Sequence, residues 1–186
     1  MTRKRLLVKR AMEHWRSDSQ ISIAAMIWFL MMLGFLAALD FLAGGTQLHR
    51  TIWLVPPFAA TLSILILLPT ASIAQPIAVV AGSTLGAFLG SAAALAVHGP
   101  WFAVVMAAVT LLILSALRIY HPPGVALSMY PLLLHSGTMF PLGVVFPFTL
   151  VAVCSAAVLS RVVKSWPRYP RPLKLSWPGT EHGKSV

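Results

Sequence analysis

One stretch of the chain sets an ionisable side chain against a helix break: Tyr120-His121-Pro122-Pro123-Gly124-Val125-Ala126-Leu127-Ser128. An imidazole changes charge near neutral pH, so His121 has the chemistry to hold an anion or carry a proton. Pro122 and Pro123 lack a backbone N–H and fix φ, which ends the preceding helix. The residue before a proline is pushed toward extended conformations, whereas proline suits the first turn of a helix. The stretch therefore predicts helix, break and new helix, with His121 at the break. Arg118 lies one helical turn earlier and offers a permanent positive charge. Thr61 and Ser128 follow two double prolines, Pro56-Pro57 and Pro122-Pro123, and offer hydroxyls. Gln75 and Tyr120 are further polar candidates. Each has a structural alternative. His121 can satisfy a carbonyl freed at the break, Arg118 can snorkel to an interface, and the hydroxyls can bond back to their own helices.

Other chemistry lacks its residues. There is no His-Glu-x-x-His, the six His are scattered, and the single Cys154 sits in an apolar run. That run predicts a small buried residue, with no disulfide and no metal-ligand spacing. Neither an enzyme, a metal site nor a cofactor is expected.

The elements that must position these residues are membrane spans. Of 186 residues, 58% are hydrophobic and 10% charged, and the apolar runs approach the length of a bilayer crossing. The net charge of +10 points to lipid rather than nucleic acid, because six of the 14 Lys and Arg lie in residues 1–20 and six in 161–186. Basic residues just outside spans mark the cytoplasmic side, which predicts two cytoplasmic termini and an even number of crossings. A bacterial inner membrane is the expected location. Six apolar stretches follow one another: Ile21–Leu42, Ile52–Leu68, Ile77–Val97, Trp101–Ile119, Val125–Leu134 and Met139–Ser160. Asp40 is the one acid among them and is expected to reach water or pair with His49 or Arg50. Val125–Leu134 is too short to cross alone, even extended to Pro122–His135. Gly82, Gly86 and Gly90 recur every four residues on one helix face, a surface for close packing.

The two halves of the membrane region resemble each other. Pro56-Pro57 aligns with Pro122-Pro123 at an offset of 66, and at that offset Leu67-Leu68 meets Leu133-Leu134. Interrupted segments in corresponding halves point to a transporter binding site. Two proline-initiated half-helices would aim their N-terminal N–H groups at a shared site, and such ends favour anions. Fully crossing segments give three crossings per half and inverted halves. Re-entrant segments give two per half and parallel halves.

His121-Pro122-Pro123 near the end of a span resembles the signature of the HPP family of integral membrane proteins. Supporting elements are Pro56-Pro57-Phe58-Ala59-Ala60-Thr61, Ala74-Gln75-Pro76 followed by Gly82, and Arg168-Tyr169-Pro170. The family is described with four transmembrane helices, and some members are linked to nitrite transport. The resemblance therefore implies a small-anion transporter, with nitrite the first candidate. The chain departs from the family pattern at Ile77-Ala78, at Ala81-Gly82-Ser83 and at Gly124-Val125-Ala126-Leu127.

The expected fold is all-α: a polytopic transmembrane helical protein with an internal two-fold repeat, two double-proline discontinuous or re-entrant segments and four to six crossings. A basic segment, 1–20, precedes the membrane domain, 21–160, whose repeats cover about 21–97 and 101–160. A flexible basic tail, 161–186, follows. The expected function is transport of a small anion through a site containing His121, Arg118, Pro122, Pro123, Thr61, Ser128, Pro56, Pro57 and Gln75. The lipid bilayer, the anion and further copies of the chain are the expected partners. The alternative is a small membrane scaffold that packs against other proteins through its glycine face, for which His121 would be dispensable.

Overall fold

The structure, a computed structural model, describes residues 21–42, 48–164, 166 and 168–171; at 40 and 48–55 it describes the backbone alone. The segments 1–20 and 172–186 lie outside the described residues, as do the side chains of Asp40, His49 and Arg50, so the expectations for them stay with the sequence.

Six helices make up the described membrane domain: α1 Ile23–Leu42, α2 Leu48–Leu67, α3 Ala78–Ala93, α4 Pro100–Ala116, α5 Pro122–Leu134 and α6 Pro141–Val162. Their surfaces are those of membrane helices. In α1, Ala25, Trp28, Met32 and Leu36 are buried at helical spacing, while Ile23, Ile27 and Met31 are exposed on the other side. In α4 only Ala103, Thr110 and Leu114 are buried, and Trp101, Val105 and Leu112 face outward. A helix apolar all round, with its apolar side exposed, belongs in lipid. Among the described residues α6 alone is long and apolar enough to cross by itself, at 22 residues. With 13 residues, α5 rises only about 20 Å.

The helix ends follow local chemistry. Gly99, at φ 114°, precedes Pro100 at the start of α4, and His121 is extended before Pro122 at the start of α5. Arg118, at φ 57°, unwinds the chain between them. The second and fifth apolar stretches behave differently. α5 opens on its double proline, as expected. Pro56 and Pro57 instead lie inside α2, which runs through them without a break. The expectation of two proline-initiated segments therefore holds at 122–123 and not at 56–57. Thr61 Oγ1 donates to the Pro57 carbonyl at 3.0 Å, a bond back to its own helix one turn earlier.

The glycine face forms a seam with α5. A Cβ on Gly86 would stand 2.8 Å from the Gly124 carbonyl carbon, and one on Gly90 2.7 Å from that of Ser128. These successive contacts make α3 and α5 parallel neighbours. Because α5 covers the face within the chain, it is not offered to a scaffold partner. Trp28 Nε1 donates to Ser155 Oγ at 2.9 Å, which sets the start of α1 beside the end of α6, so the two helices run antiparallel. Cys154, expected to be buried, is exposed on α6. Both α3 and α6 open on a π-helical turn, Ala78–Gly82 and Pro141–Val145.

Candidate functional site

His121 is fully buried. Its extended backbone places the ring beside Gly82, where an added Cβ would come within 3.3 Å of the His121 Cβ and strike the Ile119 carbonyl. Gly82 thus lets the chain at Ile119 and His121 lie directly against α3. The ring bridges two parts of the chain. Nδ1 lies 2.7 Å from the Ile73 carbonyl oxygen, in the turn before α3, and Nε2 lies 3.0 Å from Thr61 Oγ1 on α2. A carbonyl only accepts, so Nδ1 carries a proton and the Thr61 hydroxyl donates to Nε2 of the neutral ring. That same hydroxyl is 3.0 Å from the Pro57 carbonyl, so two acceptors share one hydrogen. When the ring takes a second proton, Nε2–H donates to Thr61 and the hydroxyl is freed for Pro57. The cluster therefore has two complete hydrogen-bond arrangements that differ by one proton.

The surrounding elements hold this cluster rather than extend it. Gln75 Nε2 donates to the carbonyls of Pro69 at 3.1 Å and Ala71 at 2.9 Å, which fastens the turn that carries Ile73. Its Oε1 accepts from the Arg171 backbone N–H at 3.0 Å. Pro122 and Pro123 form the first turn of α5, directly after His121.

Other expected site residues lie elsewhere. Arg118 is exposed, because the left-handed backbone at 118 turns it off the helix path. Ser128 is buried about 10 Å further along α5, where its hydroxyl donates to the Val125 carbonyl at 2.7 Å. It belongs to the seam with Gly90. Pro56 is exposed, and Pro57 contributes its carbonyl. Sequence reasoning missed the Ile73 carbonyl, for which no side-chain signal exists.

The N-terminus of α5 corrects a further expectation. Helices α3 and α5 both begin at the His121 end, so their positive dipole ends meet there. However, Pro122 and Pro123 have no N–H, and the Gly124 N–H is spent on the His121 carbonyl at 2.9 Å. The cradle of free N–H groups expected at α5 is not formed. What the end presents is the imidazole, a hydroxyl and the dipole.

The description "HPP, transmembrane region" matches residues 18–170, most of the chain. No curated protein and no solved structure matches. The matched stretch contains the buried His121-Pro122-Pro123 turn, its Thr61 partner, the Gln75 clamp and all six helices, and the chain is a membrane protein of the HPP family.

Proposed function

We propose that the chain is a transporter, not an enzyme, that moves a small anion across the membrane, with nitrite the first candidate. One observation carries this reading: the fully buried His121, at the start of α5 in the second half, is held by Thr61 and the Ile73 carbonyl in the first. An ionisable side chain buried in a membrane domain marks a pathway. Here it also sits where two parts able to move apart would separate. His121 would supply charge to the anion, Thr61 a hydroxyl and the paired helix ends a positive potential.

The helix directions support six crossings in two inverted halves, α1–α3 and α4–α6. Each half has a double proline in its middle helix and a π-helical turn at the start of its third. Such halves rock against each other around a fixed central site in many transporters. The start of α1 and the end of α6 share the His121 end, and the basic segments 1–20 and 161–186 continue from them. That end is then cytoplasmic by the positive-inside rule, in a bacterial inner membrane. The outward apolar face of α4 and the short α5 suit assembly of several copies.

Uptake of nitrite, nitrate, formate and chloride into proteoliposomes tests the reading. Saturable uptake that favours one of them is expected. No uptake of any, by folded and inserted protein, overturns it.

A further inference from the structure

Beyond Val162 the described residues stay against the helices. The Trp166 N–H donates to the Val163 carbonyl at 2.9 Å, and the chain turns back. Trp166 is 5% exposed and meets Trp28 edge to face at a centroid distance of 5.3 Å. Tyr169 is 3% exposed, and its carbonyl accepts from Ser160 Oγ at 2.7 Å. The Arg171 N–H then reaches Gln75 Oε1. Gln75 fastens the turn whose Ile73 carbonyl holds His121. A continuous series of contacts thus joins the chain beyond the last helix to the buried imidazole.

We propose that Trp166 and residues 168–171 form a strap that closes the His121 end and detaches to admit the transported solute. The proposal rests on the transport reading above. Two further observations favour a strap that opens. Trp166 Nε1 and Tyr169 Oη are buried without a hydrogen-bond partner among the described residues. Each gives up hydrogen bonds to water on docking and regains them on release, which offsets the apolar burial that holds the strap down. The link to Gln75 is a single hydrogen bond to an exposed backbone N–H, the kind of contact that opens locally without unfolding the core. The strap is also part of the stretch shared with the family, which extends to residue 170. Docked, it holds Gln75 and the 69–75 turn in place, so Ile73 stays on His121. Released, it frees that turn and uncovers the cytoplasmic approach to the ring.

The test uses the full chain with Cys154→Ser, into which Ser72→Cys, on the turn, and Arg171→Cys, both exposed, are introduced. A bifunctional thiol reagent that attaches through reducible disulfides should link the pair and lower nitrite uptake about tenfold or more, and a reductant should restore it. Failure of the pair to crosslink, or uptake unaffected by the crosslink, overturns the proposal. Trp166→Ala provides a readout independent of transport. Amide hydrogen exchange across residues 69–80 should quicken about tenfold when the strap is loosened. Unchanged exchange there overturns the strap. If the wild type moves no anion, the transport reading fails, and the exchange measurement alone decides whether the strap controls the turn over His121.

Discussion

Replacing Gly86 with Ala adds one methyl group where two helix backbones touch. The new Cβ would stand 2.8 Å from the Gly124 carbonyl carbon and nearer still to its oxygen, whereas ordinary contact begins at 3.4 Å. Both neighbours are backbone, so no rotamer relieves the clash. α3 and α5 must part by about 1 Å, and a gap of that size forfeits roughly a quarter to a half of each contact's dispersion energy. Overpacking of this kind costs about 1–3 kcal/mol. Melting temperature responds by roughly 2–4 °C per kcal/mol in a chain of this length. Gly86→Ala should therefore melt about 2–12 °C below the wild type in detergent, followed by circular dichroism. Gly34→Ala is the control. Nothing lies within 4 Å of a Cβ there, so the variant should keep or slightly raise the melting temperature through better helix propensity. If Gly86→Ala melts within about 2 °C of Gly34→Ala, the close α3–α5 seam is wrong.

Thr61→Val removes the hydroxyl that His121 Nε2 and the Pro57 carbonyl share, leaving a buried nitrogen unpartnered; a loss of about 1–3 kcal/mol in unfolding free energy is expected. Thr61→Ser should recover most of it. Trp28→Phe loses the bond to Ser155 and part of the edge contact with Trp166, and should lower stability by about 1–2 kcal/mol in thermal melts. Burial, with Cys154 adding to it, pushes the Tyr169 phenol above its ordinary value. Its folded pKa then exceeds the unfolded one. Its contribution to stability is whole below about pH 10 and is lost as pH rises through the folded value. Tryptophan fluorescence should report exposure of Trp166 above about pH 10, and Tyr169→Phe should lack that step.

Much of the architecture is legible in the sequence because proline and glycine speak locally. Pro122-Pro123 names the start of α5, and the Gly82, Gly86 and Gly90 series names the face that α5 covers. Pro56-Pro57 misleads for the same reason. Whether a proline pair breaks a helix depends on what surrounds the freed backbone, and no local pattern states that. Arg118 and His121 are one turn apart only if the helix continues. The left-handed backbone at 118 separates them, and Arg carries no signal for it. Composition hid the strap. A basic, proline-rich tail reads as flexible, yet Trp166 and Tyr169 supply apolar area enough to be buried. Two large aromatics just beyond a last span are the signal that could have found it. Gln75 was placed among the site residues, but its contacts with Pro69, Ala71 and Arg171 are those of a clamp. That His121 stands at a helix break is legible because it precedes a double proline between apolar runs, and the structure buries it there.

In the proposed transport path the solute must pass His121. The most direct test is initial nitrite uptake by proteoliposomes holding equal amounts of wild type, His121→Ala and Gly34→Ala, each shown to be folded and inserted. Uptake by the wild type and Gly34→Ala, with none above empty vesicles for His121→Ala, is the predicted result. Uptake by His121→Ala at the wild-type rate would contradict the account and leave His121 as a structural cap at the start of α5.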